Sequence, residues 1–281
     1  MRLNFLSVGQ PEPDSIRSAS VHTDAETADP LDRQGVKSVE VAGRILEALM
    51  ARHISVSLKD LSTETRIPAA KLHRYLTSLI RARLVRQDAR TRLYQLGAFA
   101  MELGAAAMNS SDAMIDAVRR QRVVRDAIDE TISLSIWSAK GPIVVNVEES
   151  SRSVLLTVRS GTLLPICSTG AGIVFASFLA PHLANALVSN ELEAKDPDQE
   201  PIVANLNELN ELRRTVKQDM FFVNKGHLLS GVMAIATPLF DHAGRVIAVL
   251  SVVGRESHFT PEREASVIAQ ILQFAGHKQG R

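Results

Sequence analysis

The chain has 281 residues, 45% of them hydrophobic, with a single cysteine at Cys167. That length allows about two domains with real cores. One cysteine excludes an internal disulfide framework and suits a reducing compartment. No apolar run approaches the ~18 residues of a membrane span, and the start lacks the basic-then-apolar signature of a signal peptide. No membrane association is therefore expected, and a cytoplasmic location is. The net charge of +1 hides an asymmetry: residues 34–97 hold twelve Lys/Arg against five Asp/Glu, whereas residues 1–33 and 98–281 are each at −3. A basic segment beside a mildly acidic remainder is the footprint of a nucleic-acid-binding domain joined to something else.

Residues 1–33 are polar and acidic, carry three prolines, and read as a disordered tail. From Val36 an apolar face appears, with Val39, Ala42, Ile45, Leu46, Leu49 and Met50 at helical spacing. After "HISVS", the stretch "SLKD" (57–60) is a capping-box signal opening a second short helix. Pro68 opens a third, running to about Ala82, because its missing N–H would be unpaired in the first turn anyway. "LVRQDARTRLYQL" (84–96) has two extended arms around a polar centre and fits a β-hairpin, although its turn lacks the Asn-Gly or Asp-Gly signal. Residues 98–109 look like a connecting helix. Residues 112–129 continue helically, with Met114, Val118 and Ile128 inward and Arg119, Arg120, Arg122 and Arg125 exposed.

"TISLSIWSA" (131–139) alternates, Ile132, Leu134 and Ile136 on one face and Ser133, Ser135 and Trp137 on the other, which reads as a half-buried strand. "IVVNV" (143–147) and "VLLTV" (154–158) read as further strands. Helices follow over 170–189, with a break at Pro181, and over 203–219. "VMAIATPLF" (232–240) and "VIAVLSVVG" (246–254) are strands around "DHAGR", and Thr260-Pro261 starts a last helix. Helices interleaved with antiparallel-looking strands make this half α+β.

Three helices and a hairpin define a winged helix-turn-helix, in which the third helix enters the major groove. Leu72, Leu76, Leu79 and Ile80 face inward. Ala70, Lys71, His73, Arg74, Thr77, Ser78 and Arg81 remain for DNA, while Arg86, Arg90 and Arg92 on the wing are placed to grip phosphates. "GVKSVEVAGRILEALM" (35–50) and "VSLKDLSTETRIPAAKLHRYLTSLIRARLVRQDARTRLYQLG" (56–97) resemble the DNA-binding domain of the IclR family of bacterial transcription regulators. The shared positions are Ser38, Ile45-Leu46, Leu61, Pro68, His73-Arg74, Leu76, Leu79 and Tyr94-Gln95-Leu96-Gly97. Arg66 stands where the family usually has Gly; if that turn needs a positive φ, Arg costs about 1 kcal/mol. Ala70-Lys71 replaces a Ser-Thr pair, and "RAR" (81–83) replaces a motif ending in Gly.

The resemblance continues through "VRSGTLLPICSTGAGIVFASFLAP" (158–181), "GVMAIATPLFDHAGRVIAVLSVVG" (231–254) and "FTPER" (259–263). It implies a GAF-like α+β effector-binding domain with an antiparallel sheet, and effector contacts from Gly170, Ala171, Asn224 and Ser251. "STGAGI" (168–173) independently places small residues at a helix start, where backbone N–H groups can meet a carboxylate. Ser251 is a hydroxyl among residues expected to be buried and needs a partner, from the sheet or from a ligand. Asn224, Lys225 and Gly226 replace acids common in relatives, Ala234 a frequent Cys, and Val253 a position where a second Ser can occur. These changes imply a pocket more apolar or differently charged than that of relatives binding small keto acids, with a small organic or aromatic acid as effector. Lys225 either faces that anion or lies in solvent.

The reading is thus α+β: a tail (1–33), a winged helix-turn-helix domain (36–97, its helix-turn-helix about 57–80), a linker helix (98–111) and an effector domain (112–281). Its function is that of a DNA-binding transcription regulator acting as a homodimer or dimer of dimers, since one winged helix buries too little surface for a selective operator. The alternative is a basic protein-interaction module. No catalytic pair is expected: the spacing of Cys167 with His182 or His227 supports none. No metal or cofactor is expected either, because His227, His242 and His258 lack ligand spacing.

Overall fold

A computed structural model describes residues 35–52, 55–109, 111–151, 158–194 and 200–277; the tail (1–33) and most of the "VLLTV" strand lie outside them. Helices α1 (Lys37–Arg52), α2 (Leu58–Thr65) and α3 (Ala69–Arg81) precede a hairpin of β1 (Val85–Gln87) and β2 (Tyr94–Leu96). Ser57 caps α2 as its sequence signal requires, accepting from Asp60 N and donating to the Asp60 carboxylate at 2.7 Å. Ile45, Leu61, Leu72 and Leu76 are fully enclosed and form this region's core with Val85 and Tyr94. Val56, inside the expected break, bridges Tyr94 through two backbone hydrogen bonds and so adds a second short pairing to the wing.

Helix α4 (Ala98–Met108) follows, then α5 (Asp112–Ile128). The larger sheet has the order β4-β3-β7-β6-β5, all antiparallel, from β3 (Thr131–Ser138), β4 (Gly141–Glu148), β5 (Phe222–Lys225), β6 (Val232–Phe240) and β7 (Val246–Arg255). One face carries Ile132, Leu134, Ile235 and Leu250 against α5 and α9 (Pro261–Ala275). The other packs Val144, Ala236 and Val249 against α6 (Gly170–Phe178), α7 (Pro181–Ala194) and α8 (Leu206–Asp219).

Two expectations are corrected by this layering. Thr131 to Ser135 are buried on both faces rather than half-buried, because elements cover both sides of the sheet. Arg120 and Arg125 are only partly exposed; Arg120 donates to Phe274 O at 2.6 Å and so ties α5 to α9. Strand β5 was not anticipated. The break at Pro181 separates α6 from α7 as expected.

Candidate DNA-contact face and effector pocket

Helix α3 presents a divided surface. Leu72, Leu76 and Leu79 are buried, while Ala70, Lys71, His73, Arg74, Ser78 and Arg81 are exposed and Thr77 is half-exposed. The turn before it is set by Arg66, which adopts φ 54°, ψ 31°, the left-handed conformation its glycine-like position demands, and by Ser62 Oγ donating to Ile67 O. Thr77 and Ser78 donate their hydroxyls to His73 O and Arg74 O, so toward DNA they are acceptors unless these bonds open. On the wing, Arg86, Arg90 and Arg92 are exposed, Arg92 again left-handed at φ 61°. The one acid there is internally committed: Asp88 accepts from the backbone N–H groups of Thr91 and Arg90 and from the Thr91 hydroxyl. The Thr91 backbone bond is the main cause holding its carboxyl below the ordinary range, with the Arg86 charge adding. Among the described residues, Lys71, His73, Arg74, Arg81, Arg86, Arg90 and Arg92 make no ion pair, although Arg52 and Arg83 nearby do.

In the second half a pocket of about 450 Å³ opens between the sheet and the start of α6, and Gly170, Ala171, Asn224 and Ser251 all line it. Sheet register explains the meeting. Asn224, Ala234, Val253 and Thr131 form one row across β5, β6, β7 and β3, and Phe222, Ala236, Ser251 and Ser133 form the next. Small Ala234 and Ala236 keep the floor low, and Gly170 sits over Ala236, where an added Cβ would lie 3.2 Å from the alanine Cβ. Thr169 caps α6 through Gly172 N, leaving the Gly170 and Ala171 N–H groups without an intrahelical acceptor. Val147, Val158, Leu163, Leu164, Leu228 and Leu229 make the remaining wall largely apolar, and among the described residues no charged side chain lines it. Lys225 instead pairs with Glu264 at 2.9 Å and is half-exposed.

The polar atoms of this pocket are unevenly satisfied. Among the described residues, Ser251 Oγ and Asn224 Oδ1 are buried without a partner, whereas Asn224 Nδ2 donates to Ser168 O. The loop leading into α6 is braced from behind by Glu191 on α7, which accepts from Ile166 N at 2.7 Å and Cys167 N at 2.8 Å. Burial, and then Glu191, push the Cys167 thiol up to about 12, which makes it inert packing rather than a nucleophile. The sequence put Ser133 on the less buried face of a half-buried strand, and it carried no local signal for Thr131 or Glu191.

A winged helix with unpaired cations, joined to an α+β domain holding a small-molecule pocket, is a DNA-binding transcription regulator under effector control. Residues 38–89 match the IclR helix-turn-helix domain, and residues 105–278 match the C-terminal domain of bacterial IclR transcriptional regulators. The chain belongs to the IclR family, whose members are regulators and not enzymes. It is 25% identical over 244 residues to the HTH-type transcriptional repressor AllR of Escherichia coli K12, covering 85% of this chain and 88% of that one. The crystal structure of Pseudomonas aeruginosa HmgR is 35% identical, with a TM-score of 0.64 over 84% of this chain and 97% of that one. An IclR homologue from Microbacterium hydrocarbonoxydans, solved with 4-hydroxybenzoate, shares the fold at 17% identity, with a TM-score of 0.68 over 85% of this chain and 97% of that one. Among the described residues no helix is long and apolar enough to cross a membrane.

Proposed function

We propose that residues 36–97 dock α3 in the major groove of an operator, with Ala70, Lys71, His73 and Arg74 nearest the bases and Arg86, Arg90 and Arg92 on phosphates. Residues 98–111 link this head to residues 112–281, which take up a small organic acid in the cytoplasm. The acid's carboxylate meets the Gly170 and Ala171 N–H groups at the positive end of α6, and Asn224 and Ser251 contact its body. The observation that carries this reading is the pocket itself: a mostly apolar cavity of ligand size with two buried polar atoms in want of partners. The 4-hydroxybenzoate of the Microbacterium homologue has this character, an apolar ring with a carboxylate.

Helix α4 supports a homodimer, paired further into a dimer of dimers. It has no buried residue, and Met101 is 77% exposed, which is costly for an apolar helix unless a second copy covers it. Effector binding then alters the spacing of two heads, provided the acid binds one arrangement more tightly than the other. Two substitutions test the reading. Arg74→Ala abolishes specific operator binding in a folded protein, and unchanged affinity removes Arg74 from the interface. Gly170→Leu fills the pocket and blocks the effector response while DNA binding persists; a normal response refutes the pocket.

A further inference from the structure

The helix that faces the pocket is held at its far end by a buried cation. Helix α6 has nine residues, about 13 Å of length, and all but the last are buried. Gly170 and Ala171 at its N-terminal end line the pocket. At the other end the chain turns extended at Leu179, with φ −71° and ψ 156°, so Ala176 O is one of the carbonyls that a helix end leaves without a backbone donor. Arg213 of α8 supplies one, its Nε donating to Ala176 O at 2.7 Å. The amino groups of Arg213 are held in turn by Asn210 Oδ1 and by Asn185 Oδ1 of α7, each at 2.7 Å. Helical carbonyls point toward the C-terminus, so this donor stands off the end of α6 and opposes its sliding away from the pocket.

The charge matters as much as the hydrogen bond. Arg213 is 8% exposed and pairs with no carboxylate among the described residues, and burial lowers its pKa from the ordinary value. The negative pole of α6 is what compensates it, while the positive pole of the same helix meets the effector. Packing alone does not call for a cation here, because an apolar side chain of similar volume fills such a site without the cost of desolvating a charge.

We propose that Arg213 is a positioning residue for the effector site: it fixes α6 along its axis, and with it the Gly170 and Ala171 N–H groups, without touching the effector. The proposal rests on the acid reading of the pocket. The test is calorimetric titration of the full-length protein with benzoate, phenylacetate and their 4-hydroxy derivatives, in the wild type and in Arg213→Met, Arg213→Lys and Arg214→Met. Methionine keeps the apolar stem without charge or donor, lysine keeps both, and Arg214 is the exposed neighbour on the same helix. An acid that binds the wild type is expected to bind Arg213→Met about tenfold or more weaker, and Arg213→Lys about threefold or more tighter than Arg213→Met. Arg214→Met is expected to bind as the wild type does. Emission of Trp137, whose ring centroid lies 5.7 Å from that of Phe175 on α6, checks that each variant is folded. Wild-type affinity in a folded Arg213→Met overturns the proposal. A lysine variant no better than the methionine one does so too, since the side chain then serves packing alone, as does an equal loss in Arg214→Met. Should neither Arg213 variant fold, Asn185→Ala carries the test, because it frees one amino group of Arg213: severalfold weaker binding supports the proposal and unchanged affinity overturns it. Failure of every acid to bind the wild type overturns the acid reading and this proposal with it.

Discussion

Replacing Arg66 by glycine should stabilise the DNA-binding region. Arg66 ends α2 at φ 54°, ψ 31°, is exposed, and makes no ion pair among the described residues. The left-handed conformation costs a side-chain-bearing residue about 1–2 kcal/mol. Glycine removes that strain but adds about 0.5–1 kcal/mol of backbone entropy to the unfolded chain. The net expectation is a gain of about 0.5–1 kcal/mol. With a urea dependence of about 1 kcal/mol/M for a small domain, the midpoint rises by about 0.5–1 M. The chain supplies its own probes: both tyrosines, Tyr75 and Tyr94, lie in the winged helix, and the single tryptophan, Trp137, lies on β3. Second-derivative ultraviolet absorbance follows the tyrosines and fluorescence follows Trp137. A tyrosine midpoint that stays put or falls in Arg66→Gly refutes the argument that strain at this turn is stored in the native state.

Other consequences can be checked on the same protein. Cys167 keeps its proton at pH 8, so iodoacetamide leaves the native chain unlabelled and labels it in urea; native labelling at the denatured rate contradicts the burial. A Cβ at Gly172 would collide with the Ile166 backbone, which Glu191 holds in place. Gly172→Ala therefore lowers stability by about 1–3 kcal/mol in the Trp137-detected transition, and a wild-type midpoint would show that the loop yields. Asp88 has its folded carboxyl below the ordinary 3.8, so its support of the wing turn is fully present above that value. The support is lost as pH falls through the lowered value. Protection of the Thr91 amide against exchange should follow that course, and Asp88→Asn should remove the pH dependence.

How much of this was legible beforehand depended on the range of the interactions. The α3 leucines, the Ser57 cap and the β6 and β7 strands are written in local periodicity and turn chemistry, and their limits agree within a residue or two. The strained turn at Arg66 was visible because an arginine stood where a glycine was needed. Strand β5 was not visible: it has four residues between a left-handed Met220 and a left-handed Gly226, too few to show alternation. Nothing local joins Gly170 to Ser251; the sheet register does, and only the family resemblance anticipated it. The period-2 reading of β3 identified the two faces but assumed water on the serine side, where α6 and the pocket lie. Arg213 on α8 is buried, with Nε donating to Ala176 O and its amino groups donating to Asn185 and Asn210, long-range partners that helical periodicity does not reveal.

The two halves of the chain use cations in opposite ways, and that difference predicts how salt acts. In the second half, Arg120, Arg122, Arg245 and Arg263 each meet a carboxylate, the last the fully buried Glu130. From Arg66 to Arg92, by contrast, Arg66, Lys71, Arg74, Arg81, Arg86, Arg90 and Arg92 are exposed within one small domain without an acid partner among the described residues, and Asp88 is held mainly by backbone donors. Like charges so placed repel one another in the free protein, and that repulsion is screened as the Debye length shrinks from about 30 Å at 0.01 M to about 10 Å at 0.1 M. Sodium chloride should therefore raise the tyrosine-detected urea midpoint of the free protein. The same salt must weaken the operator complex, because phosphate contacts release counterions; about six such contacts lose on the order of a thousandfold in affinity between 50 and 200 mM. Opposite signs in the two experiments mean that these cations are an unpaired set awaiting phosphates. A midpoint that falls with salt would mean that carboxylates already satisfy them, and the DNA-contact face would have to be sought elsewhere on the winged helix.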